Sequence, residues 1–193
     1  MTPADPPVGG ATPVIPVPEI RDHRRINAEI GRLLDYGHRR VVLDGVESQR
    51  LLLYGLSGGW VATIEVRGLA GPEFAAELDA PGLTVLGLGG AGVGAGRGLR
   101  AGTLCLVGPV GDLVGNDMWG GRIVVVGPSG HRAGLRMAGG FLTLCGPTGR
   151  LLGERQSGGV IALQDLSRGG HAGHARSGGR LLIHGAEVGR SVE

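Results

Sequence analysis

Arg122-Ile-Val-Val-Val-Gly127-Pro128-Ser-Gly130-His-Arg-Ala-Gly134 is answered nineteen residues later by Phe141-Leu-Thr-Leu-Cys145-Gly146-Pro147-Thr-Gly149-Arg-Leu-Leu-Gly153. Each stretch is a short strand-forming run followed by glycines at matched places, and Gly108, Gly111 and Gly115 begin the same pattern one period earlier. Working outward, Gly68 and Gly87 lead into Gly108, Gly127 and Gly146 with steps of 19, 21, 19 and 19; Asp165 and Gly185 follow after 19 and 20. Gly71, Gly90, Gly111, Gly130 and Gly149 make a second column, and Ala75, Gly94, Gly115, Gly134 and Gly153 a third. Prolines 109, 128 and 147 keep the same period, as do the Gly-Gly pairs at 120–121, 139–140 and 158–159. A fixed period of this length means a solenoid.

The strands say which kind. Their second and fourth residues are Ile64 and Val66, Leu83 and Val85, Leu104 and Leu106, Ile123 and Val125, Leu142 and Leu144, Ile161 and Leu163, Leu181 and Ile183. All are aliphatic, and period-two alternation puts them on one face. The chain therefore reads as all-β, a right-handed single-stranded parallel β-helix over residues 41–193. Gly108, Gly111, Gly115, Gly127, Gly130, Gly134, Gly146, Gly149 and Gly153 take its turns, where positive φ or close approach of neighbouring coils excludes a side chain.

Ahead of the repeat, six of the eleven prolines fall within residues 3–18, which predicts a disordered Pro-rich tail over 1–18. Ile26, Ile30, Leu33 and Leu34 recur at helical spacing and Gly37 follows. They predict an amphipathic capping helix within residues 19–40 that docks on the open end of the solenoid. Arg40-Val-Val-Leu43 reads as the first strand.

Composition narrows the function classes. Glycine occurs 41 times, where ordinary usage gives about fourteen. Collagen would need it at every third place, and disorder is at odds with 41% hydrophobic residues in compact runs. A net charge of +2 with 3% aromatics argues against nucleic acid as partner. No apolar run is long enough to span a membrane, and Met1–Pro18 lacks the basic and apolar regions of a signal peptide. Cys105 and Cys145 are too few for an iron–sulfur cluster. The expected location is the cytoplasm.

Several motifs invite a chemical reading. Gly87-Leu-Gly89-Gly-Ala-Gly92 matches the dinucleotide fingerprint, but Gly94, Gly96, Gly98 and Gly102 follow, and no helix can form there to meet a pyrophosphate. His171, His174 and His184 are the candidates for metal ligands, yet their Gly-rich setting reads better as exposed turn histidines. The outward strand positions carry Leu52 and Tyr54, Cys105 and Val107, Val124 and Val126, Thr143 and Cys145. A strand facing water alternates to polar residues, and these do not. Cys105, Val107, Val124, Val126 and Cys145 are therefore expected at a partner interface, or else under residues 8–18 of the tail.

The repeat resembles the GXGXG β-helix domain of glutamate synthase large subunits, in particular stand-alone proteins similar to domain 3 of the alpha subunit. It is also similar to the C subunits of formylmethanofuran dehydrogenases. The likeness rests on Ile26-Asn-Ala-Glu-Ile30, Gly37, Val41-Val-Leu-Asp-Gly-Val46, Gln49-Arg50, Gly55-Leu-Ser-Gly58, and Gly111-Asp-Leu-Val-Gly115 with Met118 and Gly120-Gly121. It covers roughly residues 21–165; Arg97 with Gly98, Gln156 in the methionine column and the His-rich end depart from it. The resemblance implies a non-catalytic scaffold subunit with no cofactor of its own. Its partners would be a class II glutamine amidotransferase subunit and an FMN-dependent glutamate synthase-like subunit carrying FMN and an iron–sulfur cluster. The assembly would pass glutamine-derived ammonia to a 2-oxo acid or related acceptor. A stand-alone enzyme using surface His or Cys, and a formylmethanofuran-type C subunit, are the alternatives.

Overall fold

The computed structural model describes residues 11–20, 22–164, 166 and 171–188. Within them one sheet is built in chain order from β1 (Val14–Pro16), β2 (Arg40–Glu47), β3 (Ala62–Leu69), β4 (Asp79–Gly87), β5 (Ala101–Leu106), β6 (Arg122–Val125), β7 (Phe141–Leu144), β8 (Val160–Leu163), β9 (Arg180–Ile183) and β10 (Ala186–Glu187). Each neighbouring pair from β1 to β9 is parallel, and β10 alone turns back antiparallel on β9. A parallel strand bonded to the one a single repeat earlier is the signature of a β-helix, of about seven turns here. A second wall of single bridges links Ala70, Ala91, Val110, Ser129, Thr148 and Leu166.

That second wall corrects the register of one coil. Val85 faces Ile64 and Gly87 faces Val66, so Leu83 and Val85 do not lie opposite Ile64 and Val66. Gly89, not Gly87, continues the first corner column, and a Cβ there would lie 2.4 Å from the Gly68 backbone. Gly92 likewise replaces Gly90 in the second column, 2.9 Å from Gly71. The cause is volume. Phe74 is fully buried, and a Cβ at Gly87 would approach it to 3.2 Å and Leu106 to 2.9 Å. The interior position is left empty of side chain so that the ring can fill it. Leu52 and Tyr54 are also misplaced by the sequence reading: both lie in the arc between walls, Leu52 buried, rather than on a strand face.

The arcs explain the three glycine columns. The sign of φ alternates along each arc, positive at Leu113, Gly115 and Asp117, then at Arg132, Gly134 and Arg136, then at Leu151, Gly153 and Arg155. Outer members donate to the next coil, as Leu113 N–H to His131 O (2.8 Å); middle members donate to the previous one, as Gly115 N–H to Ala95 O (3.0 Å). A left-handed non-glycine residue costs about 1–2 kcal/mol, and one net hydrogen bond returns about 1 kcal/mol. The arc roughly breaks even, so the aliphatic interior must supply the stability. Leu53 and Ala75 hold the middle place in the first two arcs; from Gly96 onward, which replaces Gly94 in the third column, it is glycine, and at Gly134 a Cβ would lie 2.5 Å from Ile161 Cδ1. In the first corner column the obstacle is backbone: a Cβ on Gly127 would sit 2.1 Å from Gly108 O.

Both ends are closed. α1 (Val17–Ile20) leads to α2 (His23–Asp35), which begins after Asp22, whose carboxylate accepts Arg24 N–H at 3.0 Å. The helix buries Ile26, Ile30, Leu33 and Leu34 on the first coil, as the spacing predicts. The start at residue 19 is not observed, and neither is a disordered tail through residue 18. Val14–Pro16 pairs with β2, and Ile15 and Val17 enter the core. Proline tolerates this edge because an edge strand can dispense with N–H donors. Residues 1–10 of the predicted tail lie outside the described residues. At the other end the interior column Leu99, Met118 and Met137 turns polar at Gln156 and Arg176. Arg176 Nη2 donates to Val188 O at 2.7 Å beneath the β10 turn. None of the described helices is long and apolar enough to cross a membrane.

Candidate interaction face

The strand wall that faces outward from β4 to β9 carries the residues singled out by the sequence. The register stacks Leu86, Cys105, Val124, Thr143 and Ala162 in one outward column. The next column follows two residues on, as Leu88, Val107, Val126, Cys145 and Gln164. Strand spacing near 4.8 Å makes these neighbours in contact, not scattered apolar residues. Val107 is 44% exposed and Val126 52%, while Cys105, Val124 and Cys145 are half-buried. All five predicted interface residues thus come together on one face. Val14–Pro16 of the tail does not cover them, since it is bound to β2 at the far end of the solenoid.

Sequence reasoning missed part of this face. Leu86 faces outward by strand parity in either register, and the shifted register of β4 sets it beside Cys105 and brings Leu88 (46% exposed) into line with Val107. Phe141, 48% exposed with the Arg122 guanidinium 5.0 Å from its ring centre, borders it, and Trp119 stands 68% exposed at the corner before β6. Toward β7–β9 the face opens into a hollow of about 830 Å³ lined by Thr143, Cys145, Pro147, Ala162, Gln164 and His184. Small outward side chains at Thr143 and Ala162 leave that space.

The face begins where a charge cluster ends. Glu65 occupies the outward column ahead of Leu86, nearly buried, and its carboxylate accepts from Arg40 and from Arg67 Nε (2.7 Å). The Arg40 hydrogen bond first, then that of Arg67, holds the carboxyl below its ordinary range. From β4 onward no charged carboxylate or guanidinium interrupts these columns, which turn polar at Gln164 and His184.

The candidate reactive groups do not assemble. Both thiols are free, and burial pushes the Cys105 thiol up, opposed in part by the Arg122 charge. A raised thiol is a poorer nucleophile at neutral pH. His171, His174 and His184 are exposed. Among the described residues no three His, Cys, Asp or Glu side chains converge as a metal site. His131 is instead structural: its Nδ1 accepts Arg150 N–H at 2.9 Å, while its own N–H donates to Asp112 Oδ1 at 2.7 Å. The nine turn glycines named from the sequence line the corners and arcs, where a Cβ at all but Gly115 and Gly153 would come within about 3 Å of a neighbour.

Comparison of the chain with protein families, with characterised proteins and with solved structures returned no match.

Proposed function

We propose that this chain is a non-catalytic scaffold subunit of a glutamate-synthase-type assembly, working in the cytoplasm. It holds a class II glutamine amidotransferase subunit beside an FMN-dependent, iron–sulfur synthase-like subunit, which joins ammonia to a 2-oxo acid or related acceptor. FMN and the cluster belong to that partner.

One observation carries the scaffold reading: a contiguous apolar face, Cys105, Val107, Val124, Val126 and Cys145 with Leu88 and Phe141, lies open on a solenoid whose own ends are closed. Monomers rarely leave such a surface to water. The identity of the assembly is supported by the leader and rung motifs, from Ile26-Asn-Ala-Glu-Ile30 to Gly120-Gly121.

The test is affinity purification of the full chain from its own cell extract, with mass spectrometry of what is retained. Recovery of an amidotransferase and a flavoprotein synthase, with both lost from the Val124→Glu, Val126→Glu variant, is the expected result. Flavin that stays with the isolated chain through gel filtration would end the reading.

A further inference from the structure

We infer that a hollow on the arc face binds a free α-amino acid with an apolar side chain. This site is separate from the apolar strand face and does not depend on the assembly proposed above.

Two columns of side chains build the hollow, which holds about 590 Å³. The arc hydrogen bonds stack Val93, Asp112, His131 and Arg150 on successive coils: Gly94 N–H donates to Asp112 O (2.9 Å), Leu113 N–H to His131 O (2.8 Å) and Arg132 N–H to Arg150 O (2.8 Å). Leu113, Arg132 and Leu151 form the column beside it, one residue on.

Unpaired charge of both signs singles the hollow out. Asp112 and Arg150 are exposed and stand two coils apart, about 10 Å at 4.8 Å per coil. Neither forms an ion pair among the described residues. Arg132, between the two leucines, reaches Glu154 at 3.5 Å, so Arg150 is the cation left to a ligand. His131, between Asp112 and Arg150, adds a donor. Its Nδ1 accepts Arg150 N–H at 2.9 Å, so the neutral ring carries its proton on Nε2.

An α-amino acid matches this order of groups. Its ammonium meets Asp112, and its carboxylate meets Arg150 and His131 Nε2–H. The span of about 10 Å takes one ammonium–carboxylate pair with a charge-assisted hydrogen bond of about 2.8 Å at each end. A carboxylate without the ammonium would face Asp112 uncompensated, and an amine without the carboxylate would face Arg150; like charge disfavours both. Leu113 and Leu151 receive the side chain. They are half-buried leucines at a place where other coils hold Glu73 and Arg132, and Val93, 47% exposed, extends the apolar wall. An apolar wall with a few placed polar groups is the usual form of a small-molecule site.

Isothermal titration calorimetry of the full chain tests this with leucine, leucinamide, 4-methylpentanoate and glycine. Leucine should bind saturably. The other three lack the carboxylate charge, the ammonium or the side chain, and each should bind at least about tenfold more weakly. In the Arg150→Gln variant the preference for leucine over leucinamide should vanish, and in Asp112→Asn the preference over 4-methylpentanoate. Asparagine keeps an acceptor for His131 N–H, which Asp112 Oδ1 accepts at 2.7 Å, and Arg150 has no ion pair to lose, so both variants should fold. Circular dichroism checks that they do. No saturation at millimolar leucine, equal binding of any one of the three analogues, or unchanged preferences in the folded variants would overturn the inference. If a variant is unfolded, the comparison of the four compounds on the wild type decides the matter.

Discussion

Asn27 stands in for a coil that does not exist. Its Oδ1 accepts Leu53 N–H at 2.9 Å and its Nδ2 donates to Tyr54 O at 3.3 Å. Leu53 is the middle member of the first arc, and in later arcs that N–H donates to the preceding coil. In the first coil the side-chain amide of α2 takes its place. Asn27→Leu leaves the buried Leu53 N–H unpaired, at about 1–3 kcal/mol. The thermal midpoint should fall by roughly 2–12 °C, whereas Asn27→Asp, which keeps the acceptor, should lose less. Equal midpoints for the Leu variant and wild type would show that the amide does not close this end.

Phe74 and Gly87 share one interior volume, so their substitutions should not add. Gly87→Val overpacks the site at about 1–3 kcal/mol, and Phe74→Ala alone costs about 3–5 kcal/mol. Together they should cost less than the sum by about 1 kcal/mol or more, measured by denaturant unfolding. Strict additivity would mean that another residue sets the register shift of β4.

The glycine columns should differ in sensitivity. At Gly134 the obstacle to a Cβ is the flexible end of Ile161, though φ of +67° adds strain; at Gly127 it is the Gly108 carbonyl, 2.1 Å away. Gly127→Ala must move one coil from the next and should destabilise more than Gly134→Ala. Gly134→Val, larger and β-branched, should cost about 2–4 kcal/mol. A reversed order of Gly127→Ala and Gly134→Ala in thermal melts would contradict the assignment of close approach to the first column.

Acid should weaken the fold through Glu65 and Asp117. Arg40 and Arg67 lower the first carboxyl and Arg136 the second. Both titrate lower in the folded chain than unfolded, so their stabilisation is present above the ordinary carboxylate range near pH 4 and lost as pH falls through the depressed values. The stability gap between wild type and Glu65→Gln should be widest at neutral pH and close below about pH 4. A constant gap down the pH series would leave Glu65 without this role.

On the outer face, Val124→Glu with Val126→Glu should leave the isolated chain folded, because Val126 already meets water and Val124 is only half-buried. Association that buries the two carboxylates unpaired would cost several kcal/mol, so partner retention should collapse. A folded variant that still retains its partners would move the interface elsewhere, with α2 the next surface to vary.

The sequence by itself determined the solenoid, its period and its inward columns from β5 onward. Ile123 with Val125 and Leu142 with Leu144 can only face one way when each coil repeats its neighbour's backbone. It also determined which face of α2 is buried, since Ile26, Ile30, Leu33 and Leu34 have no second pattern to satisfy. Tertiary structure decided what depends on volume and on chain ends. The two extra residues between Gly68 and Gly89 could be placed in more than one register, and the Phe74 ring chose the one that puts Gly87 inside. Val14–Pro16 is too short and proline-rich to read as a strand, but the open edge of β2 offered it hydrogen bonds. The apolar face was legible as two columns of outward Val and Cys; its extension to Leu88 and Phe141 arises only when coils far apart in sequence are stacked a few ångströms apart.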